Sequence, residues 1–130
     1  MLPQADTYDD LVKAFRWDVP ARFNMATACC DRHADGSGKL ALIYVDEDGG
    51  ARRLSFDEVS DLSKRFANVL KADGLVRGDR VAVFLSQSVE LPIAHLAAFR
   101  SGMISVPLFT LFGEDALEFR LSNSGAKAVI

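Results

Sequence analysis

Two short apolar runs separated by a segment of helical length constrain this chain more than any other feature. Val81-Ala82-Val83-Phe84-Leu85 is continuously apolar, Ser86-Gln87-Ser88 interrupts it, Leu91 to Phe99 is largely apolar, and Met103 to Leu108 is a second apolar run. Strands without polar alternation are buried on both faces, as in parallel sheets, and parallel neighbours need a crossover of a dozen or more residues. Arg80 to Leu108 is therefore expected to form a strand, crossover helix and strand. Ser88 is the expected cap of the helix, Pro92 falls in its first turn, where a missing N–H costs little, and Ser101-Gly102 ends it before a strand over Met103–Val106. A further helix is expected from Glu114 to about Asn123, with Leu117, Phe119 and Leu121 as its apolar stripe, followed by a strand over Lys127–Ile130. The fold class is α/β, built on a parallel βαβαβ unit over residues 80–130.

Upstream elements are expected to lie against this unit. Tyr8, Leu11, Val12 and Phe15 give a short amphipathic pattern, and Trp17, Pro20 and Phe23 continue it as an N-terminal arm. Asn24 is a candidate N-cap for a helix from Met25 to about His33, which Asp35-Gly36-Ser37-Gly38 stops. Leu40–Val45 and Arg52–Phe56 flank the turn signal Asp46-Glu47-Asp48-Gly49-Gly50 and read as a hairpin. Ser55 and Glu58 fit a capping box for a helix whose stripe is Val59, Leu62, Phe66, Val69 and Leu70 and whose stop is Asp73-Gly74. The expected organisation is one partial domain: arm and helix over 1–36, hairpin and amphipathic helix over 37–79, and the parallel unit over 80–130.

Composition excludes several classes. At 130 residues a second full domain does not fit. A formal charge of −3 provides no basic field for a phosphate backbone, so no nucleic-acid partner is expected. No apolar run approaches the roughly 20 residues of a membrane span, and MLPQADTYDD lacks the basic and apolar regions of a secretory signal. The expected location is the cytoplasm. Adjacent cysteines 29 and 30 form neither a metal-ligand spacing nor a disulfide framework and are read as free thiols.

Four local patterns suggest chemistry and fall short of it. Gly36-Ser37-Gly38-Lys39 lacks the first glycine and the hydroxyl residue of a phosphate-binding loop, and strand rather than helix follows. Asp46, Glu47 and Asp48 do not alternate as calcium ligands do and are read as turn residues. Arg77-Gly78-Asp79 spells an adhesion tripeptide in a connector where Gly78 most simply supplies a turn. His33 has no second ligand nearby, and His95, on an apolar helix, has no evident carboxylate or nucleophile to partner it. No metal site and no catalytic residue are expected.

Longer motifs carry a resemblance. Leu54-Ser55-Phe56-Asp57-Glu58-Val59 is similar to the first core motif of the adenylate-forming enzymes, L-[TS]-Y-x-E-L. Phe99-Arg100-Ser101-Gly102-Met103-Ile104-Ser105-Val106-Pro107-Leu108 is similar to the second, L-K-A-G-x-A-Y-V-P-L, and Gly78-Asp79-Arg80-Val81-Ala82 matches the family's G-D-R-V-A strand entry. Phe23-Asn24-Met25-Ala26 followed by Asp31-Arg32-His33 resembles the opening of acetyl- and medium-chain acyl-CoA synthetases. The four motifs keep the family's order and span most of the chain.

The resemblance implies the N-terminal part of an AMP-forming acyl-CoA synthetase's large domain. The parent reaction activates a carboxylate with ATP and magnesium to an acyl-adenylate and pyrophosphate, then transfers the acyl group to coenzyme A. The family's phosphate loop, aromatic-Thr-Glu segment, ribose-binding Asp and C-terminal catalytic Lys are not in these 130 residues. No cofactor is therefore assigned to the piece itself, which is expected to be inactive alone. One contact is implied: Phe109, Thr110 and Leu111, followed by Phe112, align with the F-G-G-F stretch near the coenzyme A nucleotide, with both glycines replaced. The implied partners are the carboxylate, coenzyme A and the remainder of a synthetase chain, and uncovered apolar strands imply self-association. A stand-alone α/β binding module of receiver type would need acidic residues at its strand ends, where Ser86 and Pro107 stand instead. A non-catalytic interaction protein derived from a synthetase is the remaining alternative.

Overall fold

A computed structural model describes residues 2–130. The short helix α1 (Tyr8–Ala14) starts at Thr7, whose hydroxyl accepts the Asp10 N–H at 3.2 Å. None of its residues is buried, and the Phe15 and Trp17 rings just beyond it pack edge to face at 5.0 Å. Helix α2 (Met25–Cys29) is capped by Asn24 as expected. It does not reach His33: the backbone breaks at Cys30 (φ −124°, ψ −64°), and Asp31–His33 forms a separate 3₁₀ turn. The break aims Asp31 inward at side chains of two later helices, described below.

Strands β1 (Leu40–Val45) and β2 (Ala51–Ser55) form the hairpin, with a bulge between Leu40 and Leu42. The carboxylate of Asp46 closes the turn by accepting the Gly50 N–H at 2.6 Å, a structural use of one of the three acidic residues. Helix α3 (Phe56–Ala72) follows without a linker, and its capping box is complete. Ser55 Oγ accepts the Glu58 N–H at 3.2 Å, and Glu58 Oε2 accepts the Ser55 N–H at 2.7 Å. Its buried face is rotated from the predicted stripe: Val59 and Leu70 are buried, Leu62 and Phe66 are half-buried, Val69 is 50% exposed, and Ser60, Ser63 and Ala67 are buried instead. Small side chains on α3 meet those of the next helix, so the two backbones approach closely and the bulkier residues flank the contact.

The parallel unit comprises β3 (Arg80–Val83), α4 (Glu90–Arg100), β4 (Ile104–Pro107), α5 (Glu114–Ser124) and β5 (Ala128–Val129). The sheet order is β4-β3-β5, both pairings parallel, so β3 is central and Val81, Ala82 and Val83 are at most 1% exposed. The chain crosses in opposite directions from β3 to β4 and from β4 back to β5, and the right-handed rule for such crossovers assigns α4 and α5 to opposite faces of the sheet. Ala67 and Leu70 of α3, Val81, Ala97 and Ala98 of α4, and Met103 form one core cluster; Cys30, Leu54, Val59, Val89 and Ile93 form another.

Several boundaries differ from expectation. β3 ends at Val83 rather than Leu85, although the Phe84 N–H still pairs with the Ile130 carbonyl at 2.8 Å. β4 is shifted one residue towards Pro107, and β5 is confined to Ala128–Val129. Ser88 is not the cap of α4: Val89 occupies that position in helical conformation, with no side-chain cap. Phe119 is 66% exposed, so the predicted stripe of α5 covers little. Gly102 ends α4 at φ +69°, with its own N–H on the Phe99 carbonyl and the Met103 N–H on that of Ala98, a glycine-dependent stop. No helix among the described residues is long and apolar enough to cross a membrane.

Candidate functional site

In a parallel sheet, ligands sit beyond the strand C-termini, where neighbouring crossovers leave on opposite faces. That point lies between β3 and β4, bounded by the Phe84–Val89 loop and the Leu108–Gly113 loop. The second loop carries Phe109, Thr110 and Leu111. Leu108 anchors it, buried and with its N–H on the Val83 carbonyl at 2.9 Å, and the Phe112 N–H closes a turn on the Phe109 carbonyl at 3.0 Å. Phe109 is 59% and Leu111 81% exposed. The Phe109 and Phe112 rings pack edge to face at 5.9 Å, and the Arg120 guanidinium lies 4.0 Å from the centre of the Phe112 ring. The loop thus offers one free aromatic face and one nearby cation. Thr110 and Leu111 place side chains where glycines would leave the backbone open.

A second concavity lies beside β4. An apolar groove of about 660 Å³ is bounded by α2, β1, the start of α3, α4 and β4, with Leu42, Val59, Leu96 and Phe99 among its walls. Here the structure supplies the partner that sequence reasoning did not find for His95: its Nδ1 lies 2.7 Å from Ser105 Oγ. The pair arises because α4 folds back along β4, bringing residues ten apart together. Burial pushes the His95 imidazole below its usual pKa of 6.5, favouring the neutral ring. Cys30 also borders the groove; burial pushes its thiol pKa up, favouring the protonated thiol.

The motif residues carry structure. Asn24 Oδ1 accepts the Ala26 N–H, while its Nδ2 donates to the carbonyls of Phe99 and Arg100 at 3.3 and 3.1 Å. One side chain therefore starts α2 and caps the end of α4. Arg100 clamps Asp31 through two bonds of 2.7 Å, and Asp31 also accepts from the Ser60 hydroxyl at 2.7 Å. The guanidinium, with help from Ser60, lowers the Asp31 pKa from 3.8 to about 2. Arg80 performs a similar task for α5, donating to the Ser124 and Gly125 carbonyls at 3.0 and 2.8 Å. Helix C-termini leave carbonyls unpaired, and these contacts satisfy them.

The discarded patterns acquire reasons. The Gly36 and Gly38 amides donate to the two oxygens of Asp57, at 2.9 and 3.3 Å, so the chain's own carboxylate holds the groups that would cradle a phosphate. Asp79 of the adhesion tripeptide accepts the Val76 N–H at 2.8 Å, and its side chain is 14% exposed, so it is not presented to a receptor. His33 packs against the Phe56 ring at 4.9 Å. Among the described residues no three His, Cys, Asp or Glu side chains come together as a metal site.

Comparison with known proteins gives a consistent result. The family described as AMP-binding enzyme matches residues 30–130. An acetyl-coenzyme A synthetase of Methylobacillus flagellatus is 35% identical over 117 residues, covering 89% of this chain and 18% of the relative. The mitochondrial acyl-coenzyme A synthetase ACSM3 of Mus musculus is 34% identical over 130 residues, covering 95% of this chain and 22% of its own length. The crystal structure of an acyl-CoA synthetase of Brucella canis superimposes with a TM-score of 0.88 at 36% identity, over 96% of this chain and 24% of that one. The chain thus spans about a fifth of the length of the curated relatives it matches.

Proposed function

This chain belongs to the AMP-binding enzyme family, and from that premise we propose that it is the N-terminal part of the large domain of an AMP-forming acyl-CoA synthetase. The observation that carries the reading is agreement over nearly the whole chain with about a quarter of an acyl-CoA synthetase. The parent reaction joins a carboxylate to coenzyme A at the expense of ATP, with magnesium, through an acyl-adenylate and pyrophosphate. In this reading residues 1–130 form one partial domain, completed by the remainder of a synthetase chain, and act in the cytoplasm.

The described residues do not fit ATP or magnesium: the glycine amides most like a phosphate cradle are taken by Asp57, and no acidic cluster stands at the strand ends. The piece alone is therefore proposed to be inactive. Coenzyme A is a narrower case. The exposed Phe109 ring presents a face for stacking an adenine, and Arg120 brings a positive charge close by, whereas Thr110 and Leu111 bar close backbone approach. The proposed contact is thus aromatic stacking at the lip of the sheet. The reading frame beyond Ile130 tests the proposal. A Ser/Thr/Gly-rich segment ending in Pro-Lys-Gly is expected; an immediate stop codon would favour a stand-alone interaction protein.

A further inference from the structure

We propose that the groove between α2, β1, α4 and β4 binds a small neutral molecule with an apolar or aromatic body and one hydroxyl group, a phenol or alcohol, held by the His95–Ser105 pair. At about 660 Å³ the groove has the size of a small-molecule site. Its walls are apolar, with Leu42, Val59, Leu96 and Phe99 among them, and the His95 ring lies stacked against Phe99 with centroids 6.2 Å apart. The imidazole and Phe99 rings, tilted by 22° from parallel, both border the groove and give it aromatic surface.

The polar chemistry is confined to one point. His95 Nδ1 and Ser105 Oγ satisfy each other at 2.7 Å. A neutral imidazole has one donor and one acceptor, and a hydroxyl has one donor and two lone pairs, so after their mutual bond either tautomer leaves the pair one donor and two acceptor sites. A ligand hydroxyl, itself donor and acceptor, suits either tautomer. A carboxylate is excluded by charge: no Lys or Arg lines the groove, and moving an anion beside apolar walls without a cation costs far more than a single hydrogen bond returns. The selection runs opposite to that expected of a carboxylate-activating site.

The test uses the 130-residue chain with two probes of equal body, 4-butylphenol and 4-butylbenzoate, followed by amide shifts in ¹H–¹⁵N spectra. The phenol is expected to saturate with a dissociation constant of roughly 0.1–1 mM, as its size allows, moving Leu42, Leu96 and Ser105. The benzoate binds at least about tenfold more weakly. Ser105→Ala weakens the phenol about fivefold, the value of one hydrogen bond, and Leu96→Trp, with an unchanged unfolding temperature, abolishes the response. Equal binding of the two probes, shifts spread over the N-terminal arm, or full binding by the Trp variant would overturn the assignment. So would a groove closed by a second copy, seen as no phenol response together with a sedimenting dimer.

Discussion

At the scale of single residues, Asp31 and Arg100 form a two-bond ion pair whose side chains are 23% and 15% exposed. Removing one partner of such a pair strands the other's charge away from water, so Asp31→Asn is expected to cost about 3 kcal/mol in urea unfolding at pH 7. The pH dependence follows from the lowered pKa. A carboxyl with a folded value of about 2, against 3.8, stabilises fully above pH 4 and loses that contribution as pH falls through 2. The gap between wild type and Asp31→Asn should therefore close between pH 4 and 2; a constant gap would exclude the ionised carboxylate as its source. This pair was not legible in the sequence, because its members lie 69 positions apart and nothing local to either names the other. The Ser55–Glu58 box was legible because both members bond within one helical turn.

Among elements, local periodicity identified the strands and the longer helices, but not the break at Cys30 that splits off the Asp31–His33 turn, nor which face meets which neighbour. The α3 stripe was predicted from its large apolar residues, whereas the face turned inward is set by Ser60, Ser63 and Ala67, which let α4 come close. Ala97, fully buried on α4, tests that closeness. Ala97→Leu adds volume where none is free and should lower stability by about 2 kcal/mol in thermal unfolding; a neutral outcome would mean that the helices stand further apart. Asn24 tests the junction of α2 and α4. Asn24→Ala removes an N-cap and two bonds to α4 carbonyls at once and should cost about 2 kcal/mol, while Asn24→Asp, which keeps only the cap, should recover about half. Equal losses in the two variants would show that the cap contributes nothing, and no loss in Asn24→Asp would show that the contacts to α4 contribute nothing. The candidate contact at Phe109, Thr110 and Leu111 came from the resemblance to the F-G-G-F stretch, whereas the His95–Ser105 groove was not legible in the sequence, because it depends on how α4 lies along β4.

At the scale of the whole molecule, the family motifs in this chain act as joints. They start α3, tie α2 to α4 and tie β3 to α5, leaving a small sheet with both outer strands unpaired and an arm whose Tyr8, Trp17, Val19 and Phe23 are 65% exposed or more. Exposed apolar surface and open strand edges favour self-association, so sedimentation should show mass rising with concentration, and a monodisperse monomer at high concentration would count against it. The central claim is that this chain is a structural foundation whose chemistry needs residues outside it. Its most direct measurement is carboxylate-dependent pyrophosphate release by the 130-residue chain supplied with ATP, magnesium, coenzyme A and acetate or butyrate. Release no faster than in the absence of protein is predicted; turnover above that background, abolished when the carboxylate is omitted, would contradict the account.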